Sequence, residues 1–135
     1  MTLSTACPCG SGRLYAHCCG PFLEGAAQPP TAESLMRSRY TAFVRNDVEY
    51  LRATWHPATR PRDLAPDAST QWIGLKILST EAGGPDDRQG SVEFVARYKL
   101  QGRAHRLHER SHFVRDEGKW CYLDGEPNPA QVSAD

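Results

Sequence analysis

Four of the chain's five cysteines fall in one short run, Cys7-Pro8-Cys9-Gly10-Ser11-Gly12-Arg13-Leu14-Tyr15-Ala16-His17-Cys18-Cys19, and nothing else in the sequence restricts the local fold so tightly. Cys7 and Cys9 are too close along the backbone to bridge without strain, and the adjacent Cys18 and Cys19 are worse placed. Thiolates converging on one soft divalent cation fit the spacing, and four sulfurs around zinc make the closed tetrahedral shell of a structural site. The predicted ligands of one structural zinc ion are Cys7, Cys9, Cys18 and Cys19. His17 is a rival that would displace one of the two neighbouring cysteines. Gly10 and Gly12 let the backbone turn sharply and aim N–H groups at the first pair of sulfurs. A turn or two of helix over residues 14–19, closed by Gly20, would bring the second pair back over the first.

Cys-x-Cys-x8-Cys-Cys, with an internal Gly-Ser-Gly and a tyrosine three residues before the third cysteine, resembles the SEC-C motif. That motif is the zinc-binding module at the tail of the bacterial preprotein translocase motor ATPase. The resemblance implies a fourth ligand at Cys19 and places His17 at a non-ligand position. It also implies a protein partner for the knuckle, since the translocase tail contacts a secretory chaperone and ribosomes.

At 135 residues the chain is about one domain long. Sixteen basic side chains balance sixteen acidic ones, so no global field draws it to DNA or to an anionic membrane. The amino terminus has neither the basic flank nor the apolar run of a secretory signal, and no stretch is long enough to span a bilayer, which predicts a cytoplasmic protein with no membrane partner. Clustered thiols stay reduced there and serve as metal ligands. Cys121, between Trp120 and Tyr122, reads as a small apolar core residue.

Residues 21–31 are rich in helix breakers and read as a linker, with Phe22 and Leu23 as docking points on the main body. Thr31 has the chemistry of an N-cap for a helix that places Leu35, Met36, Tyr40, Phe43 and Val44 on one stripe, with Arg37 and Ser38 on other faces. Asp47 can cap a second helix carrying Val48, Leu51 and Trp55, which Pro57 stops. Beyond a proline-rich loop the period becomes alternating, and residues 71–80, 91–100, 106–115 and 119–123 read as four strands separated by glycine-containing turns. The predicted class is α+β: two helices packed on a curved four-stranded antiparallel sheet, preceded by a small zinc knuckle.

Arg39-Tyr40-Thr41-Ala42-Phe43-Val44-Arg45-Asn46-Asp47-Val48-Glu49-Tyr50-Leu51-Arg52-Ala53-Thr54-Trp55, followed by the strands, resembles the opening of the nuclear transport factor 2-like, cystatin-like cone. Joined to a SEC-C motif, and with Ser34-Leu35-Met36-Arg37-Ser38-Arg39-Tyr40 and His108-Glu109-Arg110-Ser111-His112-Phe113-Val114-Arg115 as further marks, it is similar to the YchJ-like family of small bacterial proteins. The resemblance implies a SEC-C motif over residues 1–20, a linker over 21–31, the cone domain over 32–127 and a flexible tail over 128–135. It carries over no catalytic residue. Some relatives bear a second cysteine cluster at the carboxyl end, where this sequence reads Gln131-Val132-Ser133-Ala134-Asp135.

Alternation sets Leu107, Glu109, Ser111 and Phe113 on one face of the third strand, so Glu109 points at the core and requires a partner; Arg37 or Arg39 is the expected one. One reading is a structural ion pair. The other is a cone mouth lined by Tyr40, Trp55, His56, Glu109 and Ser111 that binds a small polar ligand or, with Glu109 or His56 as base, performs proton transfer. Arg97, Lys99, Arg106, His108, Arg110 and His112 fall on the opposite face as a cationic ribbon, read as a solvated surface or as a site for RNA phosphate or an acidic protein patch. Two function classes follow: a non-enzymatic adaptor whose knuckle presents Pro8, Arg13, Leu14 and Tyr15 to a protein, and a small-molecule-binding protein or enzyme using the cone.

Overall fold

A computed structural model describes residues 5–66 and 69–127. The tail expected over residues 128–135 lies outside the described residues. A hook at the amino terminus leads through α1 (Gly20–Leu23) to α2 (Ala32–Arg45) and α3 (Val48–Ala53). The strands β1 (Gln71–Ala82), β2 (Gln89–Leu100), β3 (Arg103–Asp116) and β4 (Lys119–Pro127) then form one antiparallel meander in the order β1-β2-β3-β4. The class and strand order are those the alternation predicted.

Local chemistry sets the element ends. Thr31 Oγ1 accepts from the Ser34 N–H (3.0 Å) and Ser34 Oγ accepts from the Thr31 N–H (3.0 Å), a reciprocal cap on α2. Asn46 takes the left-handed conformation at the far end, and the Asp47 carboxylate accepts from the Tyr50 N–H to start α3. The β2–β3 and β3–β4 turns hold Gln101-Gly102 and Glu117-Gly118, all four residues at positive φ, the backbone twist that closes two-residue hairpins.

The helix α1 falls in the stretch read as a linker. Pro21 belongs to its first turn, where the missing N–H is not required, so the proline starts this helix instead of breaking it. Leu23 packs on the core, and Trp120 Nε1–H donates to Pro30 O (3.1 Å), fastening the same stretch to the sheet.

The inner face of the sheet buries Val92, Phe94, Ala96, Phe113 and Trp120 against Leu35, Met36 and Tyr40 of α2. The helix is not buried along one stripe alone: Ser38, Arg39 and Thr41 are also inside, at 4 % exposure or less. Ser38, placed by the sequence on another face, donates to Leu35 O (2.9 Å) and shares a hydrogen bond with Tyr50 OH (2.7 Å), because α3 covers that side.

Candidate metal centre and cone cavity

The hook is a small antiparallel loop. Ala6 pairs with Leu14, the Cys7 N–H donates to Arg13 O (2.9 Å) and the Tyr15 N–H donates to Thr5 O (2.9 Å). Gly10 and Gly12 turn the loop at φ +81° and +85°, and a 3-10 turn over Tyr15–His17 returns the chain so that Cys18 and Cys19 face Cys7 and Cys9. All four Sγ atoms lie within 4.8 Å of one another, with Cys9 Sγ 3.6 Å from Cys18 Sγ. Four sulfurs at about 2.3 Å from a tetrahedral centre would sit about 3.8 Å apart. The donor set therefore fits a metal ion in both chemistry and span. His17 is exposed and stands outside the sulfur group.

Donors converge on these sulfurs. Ser11 Oγ lies 3.1 Å from Cys18 Sγ, Thr41 Oγ1 lies 3.7 Å from Cys7 Sγ, and Arg37 Nη1–H points at Cys9 Sγ (3.9 Å) while donating to Cys9 O (2.9 Å). Hydrogen bonds with Cys19 and Cys7 hold the Cys9 thiol far below its usual range, and hydrogen bonds with Cys7 and then Cys9 push Cys19 far above.

Arg37 and Thr41, with Arg45 stacked 4.7 Å over the Tyr15 ring, recur every four residues along α2 and form its hook-facing side. The sequence reading missed that Arg37 and Thr41 reach the cysteines and Arg45 the Tyr15 ring, although the i, i+4, i+8 spacing of three polar residues was a signal for it. Gly10 presses on the sheet from the same loop, where a β-carbon would stand 3.2 Å from Leu75 O.

Between α2 and the inner face lies a cavity of about 210 Å³. Tyr40, Trp55, Glu109 and Ser111 all line it, as the sequence suggested. His56 does not: its N–H donates to Tyr122 O (2.8 Å) and its Nδ1 accepts from the Ala58 N–H (3.0 Å). Glu109 points inward but pairs with neither Arg37 nor Arg39. Ser111 Oγ–H donates to its Oε2 (2.7 Å), and Tyr122 OH approaches the same oxygen at 3.4 Å. Gly125 makes room, since a β-carbon there would collide with the carboxylate. Burial raises Tyr40 and Tyr122 to about 12.

Arg39 is the unexpected member. It is 4 % exposed, sits 5.0 Å over the Trp55 ring and 4.7 Å over the Tyr122 ring, and donates from Nη1 to Thr54 Oγ1 (2.7 Å) and Leu51 O (3.0 Å). No carboxylate among the described residues forms an ion pair with it. Burial lowers its pKa to about 10.

On the outer face much of the cationic ribbon is already paired. Glu93 contacts His108 Nε2 (2.7 Å) and Arg110 Nη2 (3.2 Å), while His112 lies between Asp124 (2.6 Å) and Glu126 (3.1 Å). Arg97, Lys99 and Arg106 have no ion pair among the described residues.

The family profile described as "YchJ, middle NTF2-like domain" matches residues 31–125, and that of the SEC-C motif matches residues 4–21. The chain belongs to the YchJ family. A UPF0225 protein of Cupriavidus pinatubonensis is 52 % identical over 128 residues, spanning 90 % of this chain and 88 % of its own. One of Methylibium petroleiphilum is 54 % identical over 124 residues, spanning 91 % and 89 %. Among solved structures, a SEC-C motif protein from Rhodopseudomonas palustris superposes with a TM-score of 0.79 at 35 % identity, covering 89 % of this chain and 96 % of its own. A SEC-C motif protein from Psychrobacter arcticus gives 0.75 at 31 %, covering 92 % and 84 %. The SEC-C match holds all four clustered cysteines, and the YchJ match holds the cavity. Among the described residues, no helix is long and apolar enough to cross a membrane.

Proposed function

We propose that this YchJ-family chain is a zinc-stapled, non-enzymatic adaptor of the cytoplasm whose hook docks onto a protein partner. Cys7, Cys9, Cys18 and Cys19 would hold the ion. When bound, zinc supplies structural cross-linking and no Lewis-acid chemistry, because four thiolates leave no coordination position for water. The observation that carries the reading is the gathering of four sulfurs within 4.8 Å.

Above that cluster the hook presents Arg13 and a 38 % exposed Leu14, held by the Ala6–Leu14 pairing. An apolar side chain and a cation on a rigid support suit recognition of an acidic or amphipathic protein segment. The SEC-C likeness favours a partner connected with secretion or the ribosome.

The test joins a metal count to a binding assay. Native mass spectrometry should find one zinc per chain, and co-sedimentation with ribosomes or capture of a secretory chaperone should be lost together in Arg13→Glu, Leu14→Ser and Cys18→Ser. Binding that is indifferent to all three changes rejects the adaptor reading, and a metal-free native chain rejects its structural basis.

A further inference from the structure

Arg39 raises a question that the adaptor reading leaves untouched. A guanidinium moved out of water loses solvation that an anion and hydrogen bonds must replace. Here two rings and two neutral oxygens surround it, with no carboxylate among the described residues in ion-pair contact. Nη1 alone is engaged, so Nε and Nη2, one forked edge of the group, make no hydrogen bond to a described residue. Arg39 also lines the cavity.

The remaining walls restrict what could fill it. Tyr40, Phe43, Trp55, Trp72 and Tyr122 supply ring surfaces, and Phe43 and Trp72 are only half-buried, so the space is not sealed by them. Glu109 lines the same cavity, and both its hydrogen bonds fall on Oε2, leaving Oε1 without a donor among the described residues. An apolar cavity of about 150 Å³ holds a benzene ring. The volume here, about 210 Å³, admits one ring with a small group at either end.

We propose that the cone cavity binds a small planar aromatic carboxylate that carries a hydrogen-bond donor opposite the carboxylate. The carboxylate takes the free edge of Arg39, whose planar fork matches it. The ring packs among the aromatic walls, and the distal donor reaches Glu109. The site is independent of the zinc hook and its partner.

The probes are 4-hydroxybenzoate, benzoate, benzyl alcohol and acetate, titrated into the full chain by calorimetry and by amide and indole N–H chemical shifts. 4-Hydroxybenzoate should bind saturably and shift the Trp55 and Trp72 indole signals. Benzoate should bind several-fold more weakly, and benzyl alcohol and acetate at least tenfold more weakly, because each lacks the anion or the ring. Ala96→Leu, which fills the cavity from the sheet, should remove binding while keeping the fold. Arg39→Met should erase the preference of benzoate over benzyl alcohol. If Arg39→Met does not fold, the probe ranking and Ala96→Leu decide alone. Absence of 4-hydroxybenzoate binding at millimolar concentration, benzyl alcohol binding as tightly, or unchanged affinity in Ala96→Leu would each overturn the assignment.

Discussion

The hook and the sheet order their chains by opposite means. In the sheet, Val92, Phe94, Phe113 and Trp120 are at most 4 % exposed and lie among other apolar groups, so burial of area holds the strands in register. In the hook the buried side chains are Cys7, Cys9 and Cys19, at 5 % exposure or less, and none of the hook's own described aliphatic side chains is buried. Three thiols bury too little area to fix a loop of this length against its chain entropy, so an ion is the natural organiser. The two regions should therefore fail differently. They are also coupled, because the three cysteines join the same core cluster as Leu35, Met36 and Tyr40.

Removing the ion is the largest perturbation. Cys9→Ser, at a position with 0 % exposure, should cost more than about 4 kcal/mol, the range in which metal loss stands apart from ordinary substitutions. Chelation should do the same in the wild type. Heteronuclear NMR should show the hook amides of residues 5–20 losing dispersion first, while β2 and β3 keep theirs until the whole chain melts. A cost below about 1 kcal/mol would break the comparison. Phe113→Ala is the complementary cut: truncating a fully buried ring should cost about 3–5 kcal/mol and leave one zinc per chain by mass spectrometry. Loss of zinc at temperatures where that variant is folded would show that the sheet, not the sulfur set, builds the site.

Smaller changes sharpen the seam. Thr41 is fully buried on α2 and meets Cys7 Sγ at 3.7 Å. Thr41→Val keeps the shape and deletes the hydroxyl, so thermal stability of the zinc form should fall by only about 1 kcal/mol. Zinc affinity should fall by about tenfold or more, as for other groups that orient metal ligands, measured by competition with a chromophoric chelator. Equal affinities in the two chains would reduce Thr41 to a packing residue.

Much of this architecture was readable from residue order because its signals are local. Alternation in 91–100, the Gln101-Gly102 and Glu117-Gly118 turns and the caps at Thr31 and Asp47 each rest on a few neighbouring residues. The cysteine cluster was equally local. What was missed depends on what lies across from a side chain. Ser38 looks like a solvent residue until α3 encloses it, and Arg39, expected beside Glu109, turns instead to Leu51, Thr54 and the Trp55 and Tyr122 rings. Glu109 was correctly turned inward on the same face as Ser111, but alternation could not show that Tyr122 reaches it, since a register shift at His112/Phe113 sets where β4 lies. His56 was drawn toward the cavity by its neighbour Trp55, yet its backbone pairs with Tyr122 and its ring turns back on Ala58.

The outer face gives the smallest effect and the clearest sign. A hydrogen bond from His108, then the bond and charge of Arg110, hold the Glu93 carboxyl below the usual carboxylate range. A carboxylate whose pKa is depressed on folding stabilises the native state at any pH above its unfolded value, and that contribution disappears as pH falls through the lower, folded value. The stability difference between wild type and Glu93→Gln should therefore be flat from neutral pH down to the ordinary carboxylate range and shrink only on the acid side of it. Solvent screening of a pair on an open sheet face keeps it to about 1 kcal/mol or less. Thermal melts of both chains across that range check the shape as well as the size. A difference that instead changes through neutral pH would mean that the histidines, and not the carboxylate, govern this face.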